Sequence, residues 1–190
     1  MTQPRLGIEE FKRAALDVGC EPALLQAVAD VEAPGGGFLP DGRPKILFER
    51  HWFSKLTAHE YDRVDPMISS PIPGGYIGGE YEHTRLAQAA RLDRSAALQA
   101  ASWGRFQIMG FNYKATGCDT LQEFINQIYK SEAAHLALFV NFLHSKGLDT
   151  VLKDKNYARF AYKYNGSAYA EHNYDGRIAQ AYLKNVGLYA

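Results

Sequence analysis

An apolar helical stripe, Leu25, Val28, Ala29 and Glu32, runs straight into Pro34-Gly35-Gly36-Gly37-Phe38. The i, i+3, i+4, i+7 spacing is that of one helix face. Proline and a run of glycines cannot continue it. A chain built this way must bury a helix and stop it abruptly, so the last slot of the stripe lies at the rim of the core. Here that slot holds a carboxylate. Burial disfavours its charged form and raises its pKa, as a general acid requires. The competing reading is a solvated Glu in a last turn, where the helix dipole prefers cations.

The rest of the chain also reads as mainly helical. Residues 8–18 place Ile8, Phe11, Ala15 and Val18 on one face, and Pro22 suits the first turn of the next helix, which runs to about Glu32. Residues 33–44 are loop, and 45–50 read as a strand or the start of another helix. Residues 51–58 look helical, and 65–80 form a long loop of the kind that is functional or mobile. Helix returns over about 84–101, and Ser102-Trp103-Gly104-Arg105-Phe106-Gln107-Ile108-Met109-Gly110 breaks it. Thr120 to Glu123 makes a capping box before the stripe Leu121, Phe124, Ile125, Ile128. Ser131 opens a helix with Leu136, Phe139, Val140 and Leu143 inward, closed by Lys146-Gly147. A helix over about 156–164 leads into Asn165-Gly166, and the last begins near Tyr174 with Ile178, Ala181 and Tyr182. The expected fold class is mainly α, with a small β or loop region around residues 36–50, in one domain.

Composition narrows the function by exclusion. Lys+Arg and Asp+Glu are both 21, so no global field attracts nucleic acid and no polybasic patch seeks a membrane. Cys20 and Cys118 make no disulfide framework and read as reduced thiols. No secretion signal and no long apolar run is visible, which suggests a soluble product made in the cytoplasm. Glu132 and His135 have Glu-x-x-His spacing, but a second such motif is needed for a metal site. There is no His-Glu-x-x-His, and no Lys-Ser/Thr follows Gly74-Gly75 or Gly78-Gly79, so neither a zinc peptidase nor a phosphate loop is expected. No metal or organic cofactor is called for. Trp103 reads as core packing before sugar platform, and most of the 12 Tyr as core-edge residues.

Three segments line up: Val31-Glu32 with its Gly-rich turn, the Ser102–Gly110 run, and Tyr164-Asn165-Gly166. Together they resemble the lysozyme-like superfamily, in which a catalytic Glu ends a helix, a Gly-x-x-Gln-Ile-Met-type segment lines the cleft, and a Tyr-Asn-Gly turn closes it. A closer resemblance, over about residues 10–188, is to the N-acetylmuramidase catalytic domain of phage endolysins. It rests on Gly35 through Pro44, on Ile46-Leu47-Phe48-Glu49-Arg50-His51, and on Ser102 through Tyr113. Pro34 stands where a Ser is usual, stiffening the turn and removing a hydroxyl.

The resemblance implies a lysozyme-like α+β fold and cleavage of the β-1,4 bond between N-acetylmuramic acid and N-acetylglucosamine. The partner would be the glycan strands of peptidoglycan. Glu32 would protonate the leaving oxygen. Glu49 matches the second acidic position and would activate water or stabilise the transition state. The alternative is that Glu49 pairs with Arg50 or Arg43 and only positions the acid. Gly104 would let backbone approach a sugar ring, Gln107 would meet hydroxyls and N-acetyl groups, and Tyr164 with Asn165 would stack or hydrogen-bond near the acid. A monomer acting on the periplasmic wall after release, with a holin opening the route, also follows from the resemblance alone. Members often carry a separate wall-binding domain; here one catalytic domain over 1–190 is expected. Two rivals stay open: a lytic transglycosylase using Glu32 as acid then base, and a non-catalytic wall-binding module.

Overall fold

The computed structural model describes residues 4–190. Its helices follow the stripes. The helix α1 (Ile8–Val18) buries Phe11, Ala15 and Val18, while Ile8, expected on the same face, is exposed at the first turn. The helix α2 (Pro22–Glu32) starts on proline and is buried along nearly its whole length. Thr120 and Ser131 cap α6 (Leu121–Lys130) and α7 (Glu132–Lys146), and α7 ends at Gly147 with φ +59°, as a left-handed cap requires. The chain closes with α8 (Asp149–Lys153), α9 (Tyr157–Asn165) and α10 (Tyr174–Asn185), of which the short α8 had no sequence signal.

Two segments depart from expectation. The region 84–101 is not one helix: α4 (Tyr81–Leu92) stops at Asp93, whose carboxylate caps α5 (Arg94–Gln99) by accepting from Ala96 N–H at 2.8 Å. The β region is also larger than residues 36–50. Strand β1 (Ile46–Phe48) pairs antiparallel with β2 (Ala101–Trp103), which pairs with β3 (Ile108–Met109). The run read only as a break thus supplies two of the three strands. Strands of two and three residues are too short for alternation to register in sequence.

The period of two decides what this small sheet does. Ile46, Phe48, Trp103 and Ile108 point into the core, with the Trp103 indole N–H donating to Leu98 O at 3.0 Å. Leu47, Ser102 and Met109 lie opposite one another on the other face. Helix α3 (Arg50–Leu56) follows β1 directly. The turn after β2 is locked to α7 by Phe106 and Phe139, whose rings stack at 4.2 Å. Burying each such ring contributes roughly 2–3 kcal/mol. Helix α10 lies along α2, where Tyr182 Oη donates to Glu21 (2.6 Å) and Asn185 to Asp30 (2.9 Å). No helix among the described residues is long and apolar enough to cross a membrane.

Gly110, just after β3, abuts the end of α5. A Cβ there would fall 2.0 Å from Leu98 O and 2.9 Å from Gln99 Cα, both backbone atoms. Gly110→Ala is expected to lose about 2–4 kcal/mol, read as a drop in the urea midpoint.

Candidate active site

Glu32 is the last residue of α2, so the way that helix ends aims its side chain. The last turn of α2 holds no basic residue. Two arginines from distant segments supply the missing charge. Arg105 donates through Nη1 to Ala29 O (2.9 Å) and Ala33 O, and through Nη2 to the Asp30 carboxylate. Arg177, on α10, donates to Val31 O at 3.0 Å. The carbonyls at the helix end are thus met by cations, the sign the dipole favours there.

The Arg105 backbone is held in turn. His135 is buried, accepts from Arg105 N–H at Nδ1 (3.1 Å) and donates from Nε2 to Ile128 O (2.6 Å). These bonds define a neutral imidazole, and burial pulls its pKa below the ordinary value. Glu132, one turn earlier, is also buried and accepts from the N–H groups of Gly37 and Leu6. The Glu-x-x-His pair is therefore a clamp on the Gly-rich turn. The glycines serve the same clamp. A Cβ on Gly37 would lie 2.7 Å from Arg105 N, and one on Gly104 would lie 2.8 Å from the His135 ring. Gly104, expected at the substrate, is not among the residues lining the cleft described below, and its missing side chain admits the His135 ring.

Half-buried, Glu32 accepts a hydrogen bond at Oε1 from Asn165 Nδ2, 3.0 Å away. Burial pushes its pKa up to about 7, against the Asn165 bond and the Arg177 charge, which favour the ionised form. Tyr164, next to Asn165, donates its hydroxyl to Phe106 O at 2.6 Å and stacks on Phe160. Its ring is packed into the wall, and its O–H goes to backbone, not to the acid.

Glu49 follows β1 and is held by a second buried charge. The Phe48 N–H donates to Glu82 Oε2 (3.0 Å), and Glu49 N–H to Ala100 O (3.0 Å). Glu82 also accepts from Ile77 N–H (2.8 Å) and Gly78 N–H (3.0 Å) and pairs with Arg85 at 2.8 Å. Burial alone would raise the Glu82 pKa, but the backbone donors and Arg85 outweigh it and hold it below the ordinary range. Arg85 reaches Phe48 O and Met67 O. One buried ion pair thus joins the strand before Glu49 to the loop that carries Tyr76. The Tyr76 hydroxyl donates to Glu49 Oε2 at 2.7 Å, and His51 Nδ1 lies 3.2 Å from the same oxygen. Burial, then the Glu49 bond, raises the Tyr76 pKa and keeps that phenol a donor. The arginines weighed as Glu49 partners go elsewhere: Arg50 to Pro66, Ile72 and Pro73 carbonyls, Arg43 to Asp41.

Glu32 and Glu49 line one cleft of about 680 Å³. Its floor is the row Leu47, Ser102, Met109 from the open face of the sheet. Gln107 is on it in the left-handed region (φ +47°), its amide oriented by Ser102 Oγ and Gly104 O, both at 2.8 Å. Tyr164 and Asn165 also line it. Sequence reasoning missed His51, Trp52, Tyr76, Tyr174 and Arg177. The last two are i, i+3 neighbours on α10, with the Arg177 guanidinium 5.1 Å over the Tyr174 ring, a spacing that was readable. Among the described residues no cluster of three His, Cys, Asp or Glu could hold a metal.

A family model described as N-acetylmuramidase matches residues 21–185. The crystal structure of the Burkholderia AP3 phage endolysin superposes with a TM-score of 0.86 at 39% identity, over 98% of this chain and 72% of that one. No curated protein matches significantly.

Arg105→Leu would strip the end of α2 of its cation and leave Asp30 without its arginine. The expected loss is about 2–4 kcal/mol in urea unfolding, with Arg105→Lys recovering only part because one ammonium cannot span three acceptors.

Proposed function

The chain belongs to the N-acetylmuramidase family, and from that premise we propose that Glu32 is its general acid and Glu49 its second catalytic carboxylate. The enzyme is a glycoside hydrolase of bacterial peptidoglycan, of endolysin type. Glu32 gives its proton to the glycosidic oxygen between N-acetylmuramic acid and N-acetylglucosamine. Glu49, kept oriented by Tyr76, activates water or meets the positive charge of the oxocarbenium-like transition state. Asn165 holds Glu32 at the productive angle. Leu47, Ser102, Met109 and Gln107 line the bed of the glycan, with Tyr164 in its wall. Made in the host cytoplasm, the chain acts as a monomeric catalytic unit on the periplasmic wall after a holin opens the way.

The observation that carries this reading is the contrast between the two carboxylates. One is held by burial to about 7 at a helix end, and the other faces the same cleft with a phenol donor. Hydrolysis, as the family name states, is favoured over 1,6-anhydro product formation, and a built acid site over a mere binding module. Mass spectrometry of digested peptidoglycan should show reducing N-acetylmuramic ends; anhydro ends would remove Glu49 from its role.

Glu32→Gln should abolish lysis, and the parental rate should fall as pH rises through about 7, where the acid loses its proton. The stability sign is opposite to that of a paired carboxylate. A folded pKa above the unfolded one makes the native state the better proton binder, so stability falls as pH rises from the ordinary Glu value towards about 7. At pH 8 Glu32→Gln is therefore expected to be more stable than the parent by about 1–2 kcal/mol in urea unfolding, with no gain at pH 4. Glu49→Gln should lower kcat about a hundredfold or more with the melting temperature little changed; a parental rate would leave Glu32 as the lone catalytic carboxylate.

A further inference from the structure

A second pocket, of about 470 Å³, opens beside the cleft. Arg177 lines both, and Val31, next to the acid, lines the second. One wall of it is the turn that ends α2, with Pro34 and Gly35. The other is a single face of α10, where Arg177, Gln180, Ala181 and Lys184 follow the i, i+3, i+4, i+7 spacing. The charge is one-sided. Asp30, the acidic residue of the pocket, is already bound by Arg105 and by Asn185 Nδ2 at 2.9 Å. Neither Arg177 nor Lys184 is in an ion pair among the described residues.

The glycan backbone offers these cations nothing. N-acetylglucosamine is neutral, and the lactyl carboxyl of muramic acid is consumed where a peptide is attached. That stem peptide is acidic, and it leaves the strand sideways from the sugar at the scissile bond. A cationic groove that shares Arg177 with the cleft and is lined by Val31, next to Glu32, matches that position and charge.

We propose that this groove receives the acidic stem peptide of the muramic residue, with Lys184 facing its carboxylates and Gln180 its amides. The proposal rests on the muramidase reading of the Glu32 cleft and adds a preference for peptide-bearing glycan.

The test compares uncross-linked glycan strands that carry stem peptides with the same strands stripped by an amidase, the readout being kcat/KM for new reducing ends. The parent is expected to favour stem-bearing strands by about tenfold, and Lys184→Glu to lower that value about fivefold, as suits reversal of an exposed charge. Stripped strands should be cut at the parental rate by Lys184→Glu, and Lys184→Arg should restore the preference. A parent indifferent to the peptide, or a Lys184→Glu defect equal on both strands, overturns the stem-peptide groove while leaving the muramidase reading intact. Absence of new reducing ends from either strand would sink that reading and the groove with it.

Discussion

The guanidinium of Arg105 at the end of α2 is the interaction on which the site depends. It ties the helix that presents Glu32 to the turn that follows the floor strand β2. Through its own backbone N–H it ties both to His135 on α7. A neutral side chain in its place would remove one donor from each of two carbonyls and a carboxylate and leave the helix end without its cation. Glu82 and Arg85 do the corresponding work for Glu49. In both cases a buried charge holds a cleft carboxylate indirectly, by fixing the backbone on which the carboxylate sits.

These two anchors allow unlike environments at short range. Glu32 is starved of hydrogen-bond donors apart from Asn165 and is pushed towards its neutral form. Glu82, more deeply buried, is crowded with donors and stays ionised. Burial by itself therefore does not decide protonation; the count of N–H groups aimed at the carboxylate does. The native state bears a cost for Glu32, since an underprovided carboxylate at a helix C-terminus destabilises the fold wherever it ionises.

Much of this was legible in sequence, for identifiable reasons. The stripes of α1, α2, α6 and α7 and the caps at Thr120, Ser131 and Gly147 rest on local chemistry, and local chemistry survives folding. Glu32 was readable because a stripe ended on it. The fold class, mainly α with a small sheet, was readable as well, but not the origin of its strands in the Ser102–Gly110 run. At Gly104 the absent side chain pointed to close approach, and sequence has no way to say that the His135 ring makes it. Glu132 and His135 were set aside as a metal site for want of a second motif, and their role as two buried acceptors on one helix face was not readable from the spacing. Arg105 carries no local mark at all, because two of its partners, the Ala29 and Ala33 carbonyls, are backbone groups that every residue possesses.

The partners of Glu32 lie far along the chain. Asn165 and Arg177 come 133 residues after Glu32 and 146 after Val31, the residues they bind. During synthesis, which proceeds from the N-terminus, the acid emerges long before the groups that enclose it. Until α9 and α10 dock, that carboxyl is an ordinary solvated glutamate, ionised at neutral pH and unfit to give up a proton. The order of the chain thus acts as a built-in delay: a nascent or C-terminally truncated product carries the Glu32 carboxyl but not the enclosure that raises its pKa.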